Sequence, residues 1–119
     1  MKLKKGFTLV ELLVVVAIIG ILILIAVPRF QSMTDGARRA AAEANHRLLI
    51  SATALYQANH GGAMPQDGDD LDDFLSIPFD DLDGNPAGSE YTFNNTAGQV
   101  TITVRIDGMT PDPLRTWTS

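Results

Sequence analysis

The chain has 119 residues, no cysteine and a formal charge of −5. This length allows one small domain beyond a targeting segment, and the absence of cysteine excludes disulfides and thiolate chemistry. The acidic balance argues against broad electrostatic binding to nucleic acid, whose phosphates attract patches of lysine and arginine.

The chain begins with a basic tip and continues into an apolar run of 21 residues, 7–27. As a helix rising ~1.5 Å per residue, this run would extend about 31 Å, enough to cross the core of a bilayer. No cleavage site of a secretory signal follows it, so we expect the run to be retained. Lys2, Lys4 and Lys5 predict a cytoplasmic N-terminus, with the rest of the chain outside the inner membrane.

Glu11 is the one charged residue inside the apolar run. A charge in hydrocarbon loses several kcal/mol of hydration, so an ionisable residue in such a segment indicates a function. The structural alternative is a carboxylate near a helix N-terminus, where the backbone dipole favours negative charge.

Residues 4–30, with the junction Lys5-Gly6-Phe7, resemble the class III leader and N-terminal helix of type IV pilins and pseudopilins. The resemblance implies that a prepilin peptidase cuts between Gly6 and Phe7 and methylates the new amino group of Phe7. Cleavage there would remove all three lysines and leave six arginines against fourteen acidic residues, a formal charge of −8.

The same resemblance assigns roles in assembly to four residues. It implies that Glu11 pairs with the cleaved amino group of Phe7 on a neighbouring subunit and sets the axial register. It also implies that the stretch from Gly20 to Pro28 loses helical hydrogen bonds when the filament forms. The alternative for Pro28 is a simple kink at the membrane exit.

The region after the membrane run has the period of a helix, with apolar residues at steps of three and four. Asn59-His60-Gly61-Gly62 supplies a stop signal, so we predict one helix over residues 7–59. The larger residues Leu48, Leu49, Ile50 and Leu55 predict contact with a sheet. The recurring apolar positions are Phe30, Met33, Ala37, Ala41, Ala44, Leu48, Ala52 and Leu55.

No catalytic machinery is evident in the sequence. His46 and His60 are the only histidines, and a helical histidine without partners predicts a solvated or capping side chain. No nucleophile–base set, zinc-ligand spacing or glycine-rich phosphate loop occurs, so we do not expect an enzyme.

An acidic segment follows the helix: eight of the seventeen residues in 67–83 are aspartates. Leu71, Phe74, Leu75 and Ile77 predict one short helical turn docked on the core. Hard cations prefer several oxygen ligands on flexible loops, so a Ca²⁺ site is one hypothesis and a solvated acidic surface is the other. The ligands would be Asp80, Asp81, Asp83 and Asn85; no other cofactor is expected.

Residues 90–94 and 99–106 predict two strands, because apolar and polar residues alternate along the second of them. Residues 94–98 predict the connecting turn. The tail, residues 109–119, predicts either an edge strand or a segment wrapped over the sheet.

These elements predict an α+β chain: a long N-terminal helix packed on a small antiparallel sheet, as the resemblance to the pilin fold implies. We divide the chain into a leader (1–6), a transmembrane half of the helix (7–28), an amphipathic half (29–60) and a loop and sheet region (61–119).

The resemblance implies a structural subunit that polymerises into a helical filament. Its partners would be copies of itself, the prepilin peptidase, an inner-membrane assembly platform and, before assembly, membrane lipid. Adhesion, motility, DNA uptake and secretion stay open. One alternative is a major type II secretion pseudopilin, since residues 83–86 with Tyr91 partly resemble that group. Another is a membrane-tethered cation-binding module that never polymerises.

Overall fold

The computed structural model describes residues 4–119, so Lys2 lies outside the described residues. It has two compact units, an N-terminal unit that ends at residue 36 and a C-terminal unit (residues 37–119). A long helix, a small sheet and short connecting helices make up the α+β class that the sequence predicts. The elements in chain order are α1 (Leu9–Asn59), two 3-10 helices (Asp69–Phe74 and Phe79–Leu82), β1 (Ser89–Thr96), β2 (Gln99–Ile106) and β3 (Arg115–Thr118).

The helix α1 has 51 residues, includes Pro28 and ends at the predicted stop signal. Gly61 and Gly62 take positive φ angles of 64° and 91°. The Gly62 N–H donates to the Gln57 carbonyl at 2.8 Å, which is the closing bond of a Schellman motif. Only glycine adopts these angles without strain, so the pair of glycines ends the helix where it does.

The face of α1 that packs on the sheet differs from the predicted apolar stripe. Leu49 is fully buried as expected, but Leu48 and Leu55 are 53% and 51% exposed. Of the predicted stripe in the C-terminal unit, only Ala52 is buried. The periodicity identified a helix correctly. The predicted contact with the sheet is confirmed for Leu49 and Ile50, which lie in or against the core, and is wrong for Leu48 and Leu55.

Polar residues on the buried face explain this error, because each finds a partner inside the unit. His46, which we predicted to be solvated or capping, is 5% exposed, and its Nε2 lies 3.0 Å from the Ile102 carbonyl. The buried hydroxyl of Thr53 donates to the Leu49 carbonyl at 2.9 Å. Buried polar groups that are hydrogen-bonded cost little, so they fit a core that a hydrophobic pattern does not reveal.

The sheet is antiparallel with the order β1-β2-β3. The two longer strands join through Ala97 and Gly98, whose φ angles of 55° and 85° are those of a two-residue type I′ hairpin. Ile102 of β2 lies opposite Trp117 of β3, so the tail forms an edge strand. The side of β2 that faces α1 is buried and apolar: Val100, Ile102, Val104 and Ile106.

The acidic segment contains two 3-10 turns where we predicted one helical turn. Leu71 in the first and Leu82 in the second are buried. Phe74 and Leu75 are half-buried against the core, whereas Ile77 is 39% exposed and does not dock. The aspartates between these anchors face solvent, as expected for short turns held by single apolar residues.

The loop between β2 and β3 is fixed by packing and by two arginines. Leu114 is 5% exposed. Arg39 of α1 donates to the Thr110 carbonyl at 2.5 Å, and Arg105 makes two hydrogen bonds to the Asp112 carboxylate at 2.8 and 2.9 Å. These contacts hold the C-terminal loop in a chain that has no disulfide.

Candidate assembly site

The first part of α1 is long and apolar enough to cross a membrane. Within the described part of the chain, no other segment packs over its large side chains: Leu9 is 76% exposed and Leu24 is 77% exposed. A helix that is apolar on all sides is normally buried in a core or in lipid. This segment is therefore a candidate membrane span.

Glu11 and Thr8 form a capping box at the start of α1. The Thr8 backbone N–H and hydroxyl donate to Glu11 Oε2 at 2.8 and 2.9 Å. The Glu11 backbone N–H donates in return to the Thr8 hydroxyl at 3.2 Å. Reciprocal bonds of this kind satisfy two backbone donors that the first helical turn leaves open. The carboxylate therefore has partners within its own subunit.

Sequence reasoning placed Glu11 near the helix N-terminus but missed Thr8. The signal was present, because a threonine followed three residues later by glutamate before an apolar run is the pattern of a capping box. Thr8 is thus an additional residue of the candidate site.

The proposed cleavage junction lies next to this cap. Lys5, Gly6, Phe7 and Glu11 line one open depression of about 200 Å³, and Phe7 is 88% exposed. The peptide bond between Gly6 and Phe7 precedes the first helical residue, Leu9. The structure thus places the junction and the carboxylate side by side, with the junction in an exposed segment before the helix.

Gly20 and Pro28 both lie within the continuous helix α1. A Cβ added at Gly20 would meet no atom within 4 Å, so no contact within the subunit requires glycine there. The structure describes the chain as a single subunit, and the loss of helical bonds on assembly stays a prediction.

The four residues of the hypothetical Ca²⁺ site lie in and after the second 3-10 helix. Asp83 Oδ1 accepts the Tyr91 N–H at 2.8 Å. The Asn85 carbonyl accepts from Asn45 Nδ2 at 2.9 Å and from the Tyr91 hydroxyl at 3.1 Å. Among residues 4–119, no three histidine or acidic side chains gather as a metal site would require.

Asp80 and Asp81 are exposed in that helix. The negative charge of Asp80 is the main reason that the pKa of Asp69 is raised, with a smaller contribution from burial and nearby aspartates. The acidic segment is therefore a region of mutual repulsion, and the calcium hypothesis stays a prediction.

Comparison with known proteins agrees with the architecture. Residues 1–27 match the family model of the prokaryotic N-terminal methylation motif. The chain is 36% identical over 106 residues to the type IV narrow pilus major component PilA5 of Thermus thermophilus, covering 89% of this chain and 84% of that protein.

Two further relatives share shorter parts of their length with the chain. The type IV major pilin protein PilE1 of Neisseria gonorrhoeae is 34% identical over 112 residues, which cover 90% of this chain and 47% of PilE1. A fimbrial protein of Pseudomonas aeruginosa is 41% identical over 71 residues, 56% of this chain and 46% of that protein. No solved structure matches the chain.

An anchoring apolar helix, a methylation motif and a small antiparallel sheet define a pilus-type structural subunit. Because the similarity to PilA5 extends over most of both chains, the chain belongs to the type IV pilin family.

Proposed function

We propose that this pilin is stored in the inner membrane as a single-pass protein and polymerises into a type IV pilus-like filament after cleavage between Gly6 and Phe7. The exposed apolar half of α1 is the observation that carries the proposal. Lipid covers this surface in the stored subunit, and the helices of neighbouring copies cover it in the filament. Lys4 and Lys5 keep the N-terminus in the cytoplasm.

The capping box gives the stored subunit a way to hold Glu11 in an apolar environment. An uncompensated carboxylate in hydrocarbon is costly, and the two Thr8 donors at 2.8 and 2.9 Å reduce that cost. In the filament, the cleaved amino group of Phe7 on a neighbour adds a positive charge beside the same carboxylate. The pair neutralises two charges together, so subunits in the matching register are favoured over shifted ones.

The second apolar face of α1 supports the same proposal. In the C-terminal unit, Leu48 and Leu55 are about half exposed although the core lies on the other side of the helix. Ala41 and Ala44 on that face are exposed as well, and small residues allow helices to approach closely. In a monomeric domain, an exposed apolar face does not contribute to stability. In a filament subunit, neighbouring copies cover this face on assembly.

Glu11→Gln and Glu11→Val test the pairing. Both variants should stay in the membrane, and both should lower the yield of sheared filaments at least tenfold, because neither supplies a negative charge for the Phe7 amino group. Glu90→Gln, which changes an exposed carboxylate on β1, is the matched control and should assemble normally. Normal filament yield from Glu11→Gln would contradict the proposed pairing.

The location of the filaments distinguishes a pilus from a secretion pseudopilus. Electron microscopy of sheared surface material, with mass spectrometry of the main band, should show long fibres that begin at N-methylated Phe7. Fibres confined to the periplasm, together with loss of exoprotein release on deletion, would assign the chain to secretion. An intact leader without any filament would indicate a tethered module.

A further inference from the structure

The chain contains four Asp-Gly pairs, and in each of them the aspartate side chain is next to a backbone nitrogen that it can react with. Glycine has no side chain to hinder the approach of its nitrogen to the aspartate Cγ atom. Hydrogen bonds and packing around each pair therefore decide whether the reaction occurs in the folded protein. The pairs are Asp35-Gly36, Asp67-Gly68, Asp83-Gly84 and Asp107-Gly108.

Hydrogen bonds block the first and the third pair. The first pair lies inside α1, where each N–H donates to the carbonyl four residues earlier. In the third pair, the Gly84 N–H donates to the Ser89 carbonyl at 2.8 Å. The Asp83 Oδ1 atom accepts the Tyr91 N–H, also at 2.8 Å. Both reacting groups of the third pair are thus held by other partners.

Packing blocks the second pair. Gly68 lies so close to the Phe79 ring that a Cβ built on it would be 2.3 Å from the nearest ring carbon. The Asp67 Oδ1 atom also accepts the Asp70 N–H at 3.2 Å. Ring closure requires a rotation of the peptide between Asp67 and Gly68, and closely packed neighbours resist such a rotation.

The fourth pair is open to reaction. Both of its residues are exposed. Gly108 has a φ of 74° and the Met109 N–H donates to the Ile106 carbonyl at 3.1 Å, which is the pattern of a type II turn. Among residues 4–119, neither the Asp107 carboxylate nor the Gly108 N–H has a hydrogen-bond partner. A Cβ built on Gly108 would meet no atom within 4 Å, so the peptide between the two residues has room to rotate.

We propose that Asp107-Gly108 is a site of spontaneous modification, at which aspartate converts to isoaspartate. The Gly108 nitrogen forms a bond to Asp107 Cγ, and its proton leaves with the carboxyl hydroxyl as water, which gives a five-membered succinimide ring. Water then adds to the α-carbonyl carbon of Asp107 and breaks the bond from this carbon to the nitrogen. The chain now runs through the side-chain carboxyl group, and the former α-carboxyl group is free. Mass and formal charge are unchanged, and water is the only co-reactant.

The modification changes the loop that joins β2 to β3. It lengthens the backbone by one methylene between two contacts that hold this loop. The Asp107 N–H donates to the Gly88 carbonyl at 2.9 Å, and Arg39 donates to the Thr110 carbonyl. The turn between these contacts must therefore rearrange. The reaction needs neither a membrane nor a filament, so the inference does not depend on the proposed function.

The test follows the folded full chain in detergent micelles, held for weeks in warm, mildly acidic buffer, because the neutral carboxylic acid is the form that reacts. Cleavage after arginine releases residues 106–115 and 30–38, and chymotrypsin separates the other two pairs. Electron-transfer fragmentation in a mass spectrometer distinguishes isoaspartate from aspartate. We expect isoaspartate at Asp107 to form at least about fivefold faster than at the other three aspartates, the factor for breaking one average hydrogen bond.

Controls separate the effect of the fold from that of the sequence. In urea, where the C-terminal unit is unfolded, Asp67, Asp83 and Asp107 should react at similar rates. Phe79→Ala removes the ring beside Gly68 and should raise the rate at Asp67 without changing the rate at Asp107. Asp107→Glu should abolish the modification at this position, because it would need a six-membered ring, and should leave the other sites unchanged. Tryptophan fluorescence checks that each variant is folded.

Three results would overturn the proposal. One is a rate at Asp67 or Asp83 in the folded chain that equals the rate at Asp107. Another is a folded chain that forms no isoaspartate at Asp107 while the unfolded chain does, since the turn would then protect this site. The third is an unchanged rate at Asp67 in folded Phe79→Ala, because the packing of the fold would then not select Asp107.

Discussion

Replacing Gly68 with alanine is a sensitive test of packing in the acidic segment. Gly68 precedes the first 3-10 helix with φ −69° and ψ −31°, angles that alanine adopts without strain. However, an added Cβ would lie 2.3, 2.4 and 2.5 Å from three ring carbons of Phe79. Carbon atoms that are not bonded prefer a separation of about 3.5–4.0 Å. The ring must therefore move by roughly an ångström or more.

The expected cost follows from what holds that ring in place. Phe79 packs edge-on against Phe93, with centroids 6.4 Å apart and planes at 81°, a geometry worth about 0.5–1.5 kcal/mol. Overpacking of a filled site costs about 1–3 kcal/mol. Alanine also restricts the unfolded chain more than glycine does, which offsets about 0.4–1 kcal/mol of the overpacking cost. We therefore expect Gly68→Ala to lower the free energy of unfolding by about 1–2 kcal/mol.

The assay is urea denaturation of the full chain in detergent micelles. Trp117 is the only tryptophan and lies on β3 opposite Ile102, so its fluorescence reports on the sheet. The matched background is Phe79→Ala, which removes the ring. There, Gly68→Ala should be neutral or stabilising by up to about 1 kcal/mol. An equal loss in both backgrounds, or a gain in the wild type, would refute the steric explanation.

Two further predictions concern the hairpin and the acidic segment. Ala97 has a φ of 55°, and asparagine tolerates this region better, so Ala97→Asn should raise the free energy of unfolding by roughly 1 kcal/mol; a lower urea midpoint would contradict this. The pKa of Asp69 is raised mainly by the charge of Asp80. A pKa raised by folding gives stability that is present at low pH and lost as the pH rises through the folded-state value. Asp80→Asn should therefore raise the urea midpoint at pH 7, with a gain that shrinks at pH 3 and in high salt, whereas Asp73→Asn, whose charge is not among those acting on Asp69, should change it less. An equal rise in both variants, or a gain that persists at pH 3, would contradict this explanation.

Local signals predicted the sheet well. The alternation along β2 identifies the buried side of residues 99–106, and the glycines after Asn59 mark the end of α1. These features depend on neighbours in the sequence, so the sequence contains the information. The sequence did not decide whether the tail forms a strand, because an edge strand of four residues depends on contacts with β2 rather than on its own pattern.

The orientation of α1 was not predictable from its apolar period. The helix has two faces with apolar residues, and the one with Leu48 and Leu55 has the more regular spacing. The core uses the other face, where His46 and Thr53 satisfy their polar groups within the unit. Hydrophobicity alone ranks the faces wrongly when an apolar face stays exposed in the single subunit.

The candidate functional residues were also predictable only in part. Glu11 stands out from sequence because a lone carboxylate in an apolar run is costly, and Thr8 was recognisable from the capping pattern. The Asp and Asn residues of the hypothetical Ca²⁺ site were chosen from composition alone. Composition does not show where a carboxylate points. In the structure, the Asp83 carboxylate accepts from the Tyr91 N–H on β1, and the Asn85 carbonyl accepts from Asn45 on α1.

The C-terminal loop shows how a pilin can fix this region without a disulfide. The ion pair of Arg105 and Asp112 is half exposed, and exposed pairs contribute about 0–1 kcal/mol. Burial of a leucine such as Leu114 is worth about 1.5–3 kcal/mol, so packing supplies most of the stability. The arginine contacts act mainly on position: Arg39 reaches the Thr110 carbonyl from α1 and selects where the loop lies. Packing therefore holds the loop closed, and the charged contacts fix its place beside the helix.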